Sequence, residues 1–453
     1  MTLAPTNHID DFRHIDFNQE FASAFELIEH TRQNILVTGK AGTGKSTLLQ
    51  YFRHKTQKKI AVLAPTGVAA INIKGQTIHS FFMFRPDITP DTVDEIYVIK
   101  KKRGLYAKLE TLVIDEISMV RSDLLDCIDM FLRLHGPKPS QPFGGVQMVF
   151  FGDLYQLPPV VRRDEGEIFR TVYKTPYFFG SKAFENFEFK LLELKEIYRQ
   201  KDERFIQILN AIRHNTMSDE DLKLLNARCH GRLELSDDEF YVSLTTTNDL
   251  AERININRLG QREGKAHRYT GVVSGEFEKK SGNNLPTLQI LDVKIGAQVM
   301  MLTNDPEKRW VNGTIGKVVE IHEDPDPDGK DIIMVKLADG KTVDVNVFTW
   351  EIFQFYYDAE IESLSSRVIG YFTQYPLKLA WAVTIHKAQG KTFDRVVLDL
   401  GNGTFAHGQL YVALSRCTTL EGIVLKQPIQ RRHILLDESI KEFFDRLETG
   451  KIL

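Results

Sequence analysis

Cysteine is scarce in this chain: Cys127, Cys229 and Cys417 are the only three in 453 residues, far apart and without metal-ligand spacing. That excludes a disulfide framework and a zinc site and fits a reducing interior. No apolar run approaches the roughly 18 residues that a membrane-spanning helix needs. The polar N-terminus, residues 1–16, lacks a basic-then-apolar signal pattern. The expectation is a protein that stays where it is made, in the cytoplasm and near the nucleoid for a bacterial source, with no membrane partner. Charge of one sign is not in surplus either: 58 Lys and Arg face 61 Asp and Glu, a net charge of −3. This excludes a protein that coats nucleic acid by bulk basicity and leaves binding in a local groove. Tandem repeats and low-complexity stretches are absent, and 42% hydrophobic with 26% charged residues is ordinary globular usage. The length predicts roughly three domains.

What is present is α/β alternation. Strand-like runs at 34–38, 60–64, 111–114 and 147–152 alternate with helical stretches such as 46–54, which predicts a parallel sheet with helices on its faces. A second module of this kind begins near 190–198, continues through 240–246 and resumes at 378–385 and 395–399. Between its halves, at about 264–370, runs at 287–293, 298–302, 316–322, 332–337 and 342–347 read as an all-β insertion. Asp339-Gly340 predicts a two-residue hairpin with positive φ at both positions. The Asp- and Pro-rich stretch 324–330 reads as a surface loop, and 437–447 as a terminal amphipathic helix used for packing.

Gly39-Lys40-Ala41-Gly42-Thr43-Gly44-Lys45-Ser46 follows a strand and opens a helix, which is phosphate-loop spacing in its required context. Glycines let backbone N–H groups curl toward a polyphosphate, so Gly39, Ala41, Gly42, Thr43 and Gly44 form the cradle, with Thr47 just beyond it. Lys45 neutralises the terminal phosphates and Ser46 holds magnesium. Asp115 and Glu116 close the apolar run Leu112-Val113-Ile114, at the end of a strand where open α/β sheets bind ligands. Asp115 is expected to orient magnesium and Glu116 to activate the attacking water. A glycine-rich turn or a capped buried strand explains either feature alone; together they predict ATP hydrolysis, with ATP and Mg2+ as cofactors.

The remaining motifs occur in the order found in Pif-type helicases of superfamily one. They are Ala64-Pro65-Thr66-Gly67-Val68-Ala69-Ala70, Thr77-Ile78-His79-Ser80-Phe81-Phe82, Phe151-Gly152-Asp153-Leu154-Tyr155-Gln156-Leu157-Pro158-Pro159 and Tyr198-Arg199-Gln200. Later come Thr384-Ile385-His386-Lys387-Ala388-Gln389-Gly390-Lys391-Thr392 and Tyr411-Val412-Ala413-Leu414-Ser415-Arg416-Cys417. The chain resembles that family from about residue 18 to residue 426. The resemblance implies two RecA-like parallel-sheet cores with an SH3-like all-β insertion in the second. Residues 1–33 would form an N-terminal segment contacting the base and 34–178 the first core, with a small insertion at about 83–109. The second core would span 179–263 and 371–453 around the insertion at 264–370.

The resemblance further implies that ATP sits between the cores and single-stranded DNA crosses both. Arg199 and Arg416 match arginines that reach the γ-phosphate from the second core, Gln156 matches a γ-phosphate sensor, and Gly390 its partner on the second core. For the DNA track it implies Thr66, Thr77 and His79 on the first core and Thr384, His386 and Lys387 on the second, chemistry suited to phosphate contacts without sequence information. Phe81 and Phe82 read as core, and Lys100-Lys101-Lys102-Arg103 as a solvated face. The family's adenine-reading glutamine has no exact counterpart: Phe21 occupies the slot and Gln19 lies two positions earlier, the candidate base contact. The class implied is a 5′→3′ helicase acting from single-stranded DNA on 5′-tailed or forked duplex, a monomer in solution that can pair on DNA. The alternative is a nucleotide-dependent DNA-binding switch that does not unwind.

Overall fold

The computed structural model describes residues 18–161, 165–185, 187–229, 240–278, 285–326, 330–358, 360, 363–401, 403–404 and 406–448. The N-terminal stretch 1–16 and the middle of the 324–330 loop lie outside them.

Six strands form the first sheet: β1 (Asn34–Gly39), β2 (Ile60–Ala64), β3 (Gln76–Thr77), β4 (Thr111–Ile114), β5 (Gln147–Phe151) and β6 (Phe189–Leu194). Their spatial order is β3-β2-β4-β5-β1-β6, all parallel. The central strands read as continuous apolar runs because both faces are covered. Ile35 and Val37 pack under Gln19–His30 and Lys45–Lys55 with Phe21, Ile28, Leu48 and Phe52, whereas Leu36 faces the cluster built by Ser122–His135 with Ile128 and Phe131. Phe81 and Phe82 are buried in that second cluster, as core.

Two boundaries differ from expectation. β6 belongs to the first sheet, in register with β1 from Asn34↔Phe189 to Gly39↔Leu194, and does not open the second core. The terminal helix, Glu438–Glu448, also returns to the first core, where Ile440 and Phe443 are buried and the Phe443 ring stacks on Phe179 at 4.3 Å. An apolar stripe announces burial, not against which core.

The second core is a four-stranded parallel sheet, in spatial order Ala382–Thr384, Val242–Thr245, Val396–Asp399, Ile423–Leu425. The stretch expected to resume it at 378 is split, because Leu377–Leu379 pairs with Gln298–Met301 in the insertion. There it edges a five-stranded antiparallel sheet with Ile315–His322, Ile332–Leu337 and Thr342–Val345. The Asp339-Gly340 hairpin is corrected to a three-residue connection: Leu337 N–H bonds Lys341 O, and Gly340 has φ +88° while Asp339 does not adopt positive φ. A type I turn followed by a left-handed glycine needs only one such residue.

The insertion also carries a long hairpin, Phe348–Asp358 with Ser363–Gln374, which runs past the expected boundary at 370. It reaches back to the first core: Phe355 is buried in that core's cluster and its N–H donates to Gln76 Oε1 at 2.9 Å. In the basic run, within Lys100–Ala107, Arg103 is exposed as expected but Lys102 is half-buried, its ammonium lowered by burial and then by Arg367 of this hairpin. The side chains of residues 100 and 101 lie outside the description.

Removing the Phe443 ring should cost about 3–5 kcal/mol, as large-to-small core changes do. Hydrogen exchange of Phe443→Ala should accelerate over Phe189–Leu194 and leave Val396–Asp399 largely unchanged; the reverse pattern would return the helix to the second core.

Candidate nucleotide site and DNA face

The phosphate loop is shaped by two left-handed glycines. Gly42 (φ +83°) abuts Arg199, where a Cβ would lie 2.5 Å from the arginine's own, and Gly44 (φ +83°) caps the helix Lys45–Lys55 over the Phe21 ring. Lys45 Nζ donates to Gly39 O at 2.7 Å and Lys40 O at 3.0 Å, and Thr43 Oγ1 donates to Lys40 O. Burial lowers the Lys45 ammonium, opposed by Asp153 and Glu116. Ser46 is exposed and Thr47 half-buried in the first helical turn. Phe21, in the adenine slot, is 2% exposed and supports the loop from within the core. Gln19 instead lines a surface hollow with Glu20, Ser23, Leu192, Glu193 and Leu194.

Asp115 and Glu116 stand at the carboxyl end of β4. Burial, and then the neighbouring Glu116 charge, push Asp115 up to about 7. Glu116 is raised chiefly by burial, against the attraction of Lys45 and Arg416. It has φ +52°, a conformation that costs a non-glycine residue of order 1 kcal/mol or more and collects at functional sites. Gln389 Nε2 donates to Glu116 Oε2 at 3.0 Å and reaches Gln156 Oε1 at 3.5 Å.

Groups from beyond the first sheet converge on this loop. Tyr198 N–H donates to Gly42 O at 2.9 Å, and Arg199 Nη1 to Ser415 O at 3.2 Å. Arg199 thus comes from the segment just after β6, and not from within the second sheet. Arg416, 2% exposed, donates from Nε to Val412 O and from Nη2 to Ser415 Oγ, both at 2.9 Å. Burial, reinforced by Arg199, lowers it to about 9. Gly390 is exposed, with φ +76° and nothing within 4 Å of an added Cβ, so the side chain that crosses to the first core here is Gln389.

Sequence reasoning missed a further cross-core pair. Asp153 accepts from Arg213 Nη2 at 3.0 Å, with side chains 0% and 4% exposed, and the guanidinium lies 4.1 Å from the Tyr155 ring centre. The pairing holds Asp153 below the ordinary carboxylate range despite burial. His407 Nε2 lies 3.1 Å from Leu154 O, and a Cβ on Gly408 would strike Gln156 O at 2.2 Å. Arg213 ends an ordinary amphipathic helix, Glu203–Arg213, and carries no motif signal.

On the candidate DNA face, Thr66 and Thr77 cap short helices by accepting Ala69 N–H and Ser80 N–H. His79 and His386 are half-buried, and burial lowers both imidazoles, favouring the neutral form. Lys387 is exposed. Thr384 is not available as expected: it is 3% exposed, and its hydroxyl accepts Lys387 N–H to hold the turn.

Two parallel-sheet cores closing on one phosphate loop, with arginines delivered from outside the first sheet proper, define a two-core phosphate-loop ATPase. Residues 16–223 match the family model for PIF1-like helicase, and 379–424 that for the UvrD-like helicase C-terminal domain. The chain is 34% identical to the human ATP-dependent DNA helicase PIF1 over 93% of its own length, spanning 62% of that protein. It is 32% identical to the Bdellovibrio bacteriovorus ATP-dependent DNA helicase Pif1, covering 96% of this chain and 93% of that one. Unliganded Pif1 from a Bacteroides species superposes with a TM-score of 0.86 at 38% identity, over 97% of this chain and 98% of that one. A Bacteroides Pif1 bound to single-stranded DNA scores 0.68 at 38% identity. The chain therefore belongs to the PIF1-like helicase family, whose relatives above are ATP-dependent DNA helicases, and it has the arrangement of the DNA-free relative.

Asp115 titrates near 7 in the folded protein and near 3.9 when unfolded. Between those values the folded state keeps a proton that the unfolded state has lost, so wild-type stability falls as pH rises and levels off above 7. In nucleotide- and metal-free protein, the stability advantage of Asp115→Asn should widen by roughly 2–3 kcal/mol from pH 5 to 7.5. A pH-independent difference in denaturant unfolding would contradict this.

Proposed function

We propose that the chain hydrolyses ATP between its two cores to move 5′→3′ along single-stranded DNA and unwind 5′-tailed or forked duplex. The observation that carries this reading is the gathering of Lys45, Arg199 and Arg416 about one phosphate loop. Burial removes the water that would screen Arg416, and the Arg199 charge beside it lowers its guanidinium further. A polyphosphate relieves that repulsion. A guanidinium arriving from the far side of the cleft also stabilises the charge spread over the transferring phosphoryl group.

In this reading Glu116 takes the proton of the attacking water, held in place by Gln389, and Gln156 relays phosphate occupancy to the contact of Leu154 with His407. Magnesium fits Ser46 and Asp115: a raised, repelled carboxylate gains from a cation. Among the described residues no cluster of three or more His, Cys, Asp or Glu side chains could hold a metal alone, and Mg2+ characteristically completes its shell with substrate phosphates and water. It would neutralise charge on the phosphates. Gln19 contacts the base. Thr66, Thr77, His79, His386 and Lys387 contact the strand's phosphates, Thr384 supports Lys387, and the strand-rich insertion holds the strand against the cores. The protein acts as a monomer that can pair on DNA.

Unwinding of 5′-tailed against 3′-tailed duplex with ATP tests activity and polarity together. Displacement confined to the 5′ tail is expected; the opposite preference overturns the polarity, and DNA-stimulated ATPase without displacement favours the switch. Arg416→Ala should still bind ATP but lose about 10³- to 10⁵-fold in DNA-stimulated turnover, as loss of an arginine finger does. Stimulation persisting near wild type would show that Arg416 is no finger.

A further inference from the structure

The phosphate loop has one more visitor from the second core. Tyr411, on the helix Gln409–Leu414 that leads to Arg416, is 3% exposed, and its hydroxyl accepts the Ala41 N–H at 2.9 Å. That N–H belongs to the loop whose amides face a polyphosphate, so the phenol oxygen lies at the edge of the space the phosphates take. Its own proton has no acceptor among the described residues. Arg199, Arg213 and Arg416 stand close enough for their charges to couple to ionisation of the phenol. Burial, with Asp153, pushes the phenol up to about 12, so it keeps that proton at any physiological pH.

We propose that the Tyr411 hydroxyl contacts the terminal phosphate of ATP, donating to a γ-phosphate oxygen while it continues to accept from Ala41. It rests on the ATPase reading above and adds a residue for distinguishing ATP from ADP. A phenol suits this better than a third guanidinium. It adds a directed donor without adding charge to a site already crowded with cations, and its second hydrogen bond ties that donor to the loop. The helix leading to Arg416, already in contact with the loop through Ala41, is then held there more firmly when the γ-phosphate is present, before any DNA is bound.

Tyr411→Phe keeps the ring's packing and removes the hydroxyl alone. Full-length protein without DNA is titrated with fluorescent ADP and with a fluorescent ATP analogue carrying a β–γ imido bridge. ADP affinity should stay within about twofold of wild type, while analogue affinity should fall roughly tenfold, the loss expected for a hydrogen bond to a charged group. Equal losses for both nucleotides would make the hydroxyl a strut for the loop and overturn the proposal. So would no change in either, or tighter analogue binding, which would mark the hydroxyl as a plug that ATP displaces. Wild-type protein binding neither nucleotide would instead bring down the phosphate-site reading, and this proposal with it.

Discussion

The buried ion pair between Asp153 and Arg213 is the contact on which the arrangement of the two cores depends. Each partner comes from a different core, and both are almost wholly out of water. Such a pair is seldom a net source of stability, because desolvation consumes most of the attraction. Separating it is costly, however, since either charge left alone in the interior is penalised by several kcal/mol. The cores are therefore free to open only as far as water can follow them in. The stack of Arg213 on Tyr155 adds a cation–π contact of about 1–2 kcal/mol to the same seam. This makes the closed cleft a defined state instead of a loose apposition.

The segment Gly152 to Gln156 is where that seam meets the chemistry. Within five residues it supplies the buried carboxylate for Arg213, the carbonyl at Leu154 that lies against His407, the side-chain amide of Gln156 that meets Gln389, and the Tyr155 and Gln156 carbonyls beneath Gly408. A displacement of this segment on phosphate binding must be felt by three parts of the second core at once. It needs no long pathway: the two sites share one stretch of backbone.

Much of this was legible in sequence, for physical reasons that differ from place to place. The phosphate loop is readable because a backbone curling around phosphates tolerates few residues at Gly42 and Gly44. The buried parallel strands are readable because both faces are covered. Arg213 was invisible because a buried charge at the end of an amphipathic helix looks like any surface arginine until its partner is known. Thr384 was misplaced because a hydroxyl that caps a turn and one that contacts DNA are the same residue type in the same motif. Phe348–Asp358 was missed because a strand wrapped by both the insertion and the first core loses its alternation.

That hairpin and the terminal helix change what the second core and insertion can do as bodies. The chain leaves the first core after Leu194, returns to it at Phe355, and returns again at Ile440 and Phe443. A body tethered at three places cannot swing freely, so motion must concentrate where contacts are few and polar. The stretch between Leu194 and the helix beginning at Glu203 is bonded to both cores, to Gly42 O through Tyr198 N–H and to Ser415 O through Arg199 and Gln200. The insertion's hairpin touches the first core through Phe355, with the Gln76 hydrogen bond and Phe81 edge-on at 6.2 Å, and through Tyr357 and Leu364, which pack against the same cluster. Gln76 immediately precedes Thr77, one of the residues assigned to the DNA track. A strand of DNA arriving on that face would meet the hairpin's anchor beside its own contacts. The hairpin's anchor on the first core and Thr77 are thus joined through one short strand, so a shift at either position is felt directly at the other.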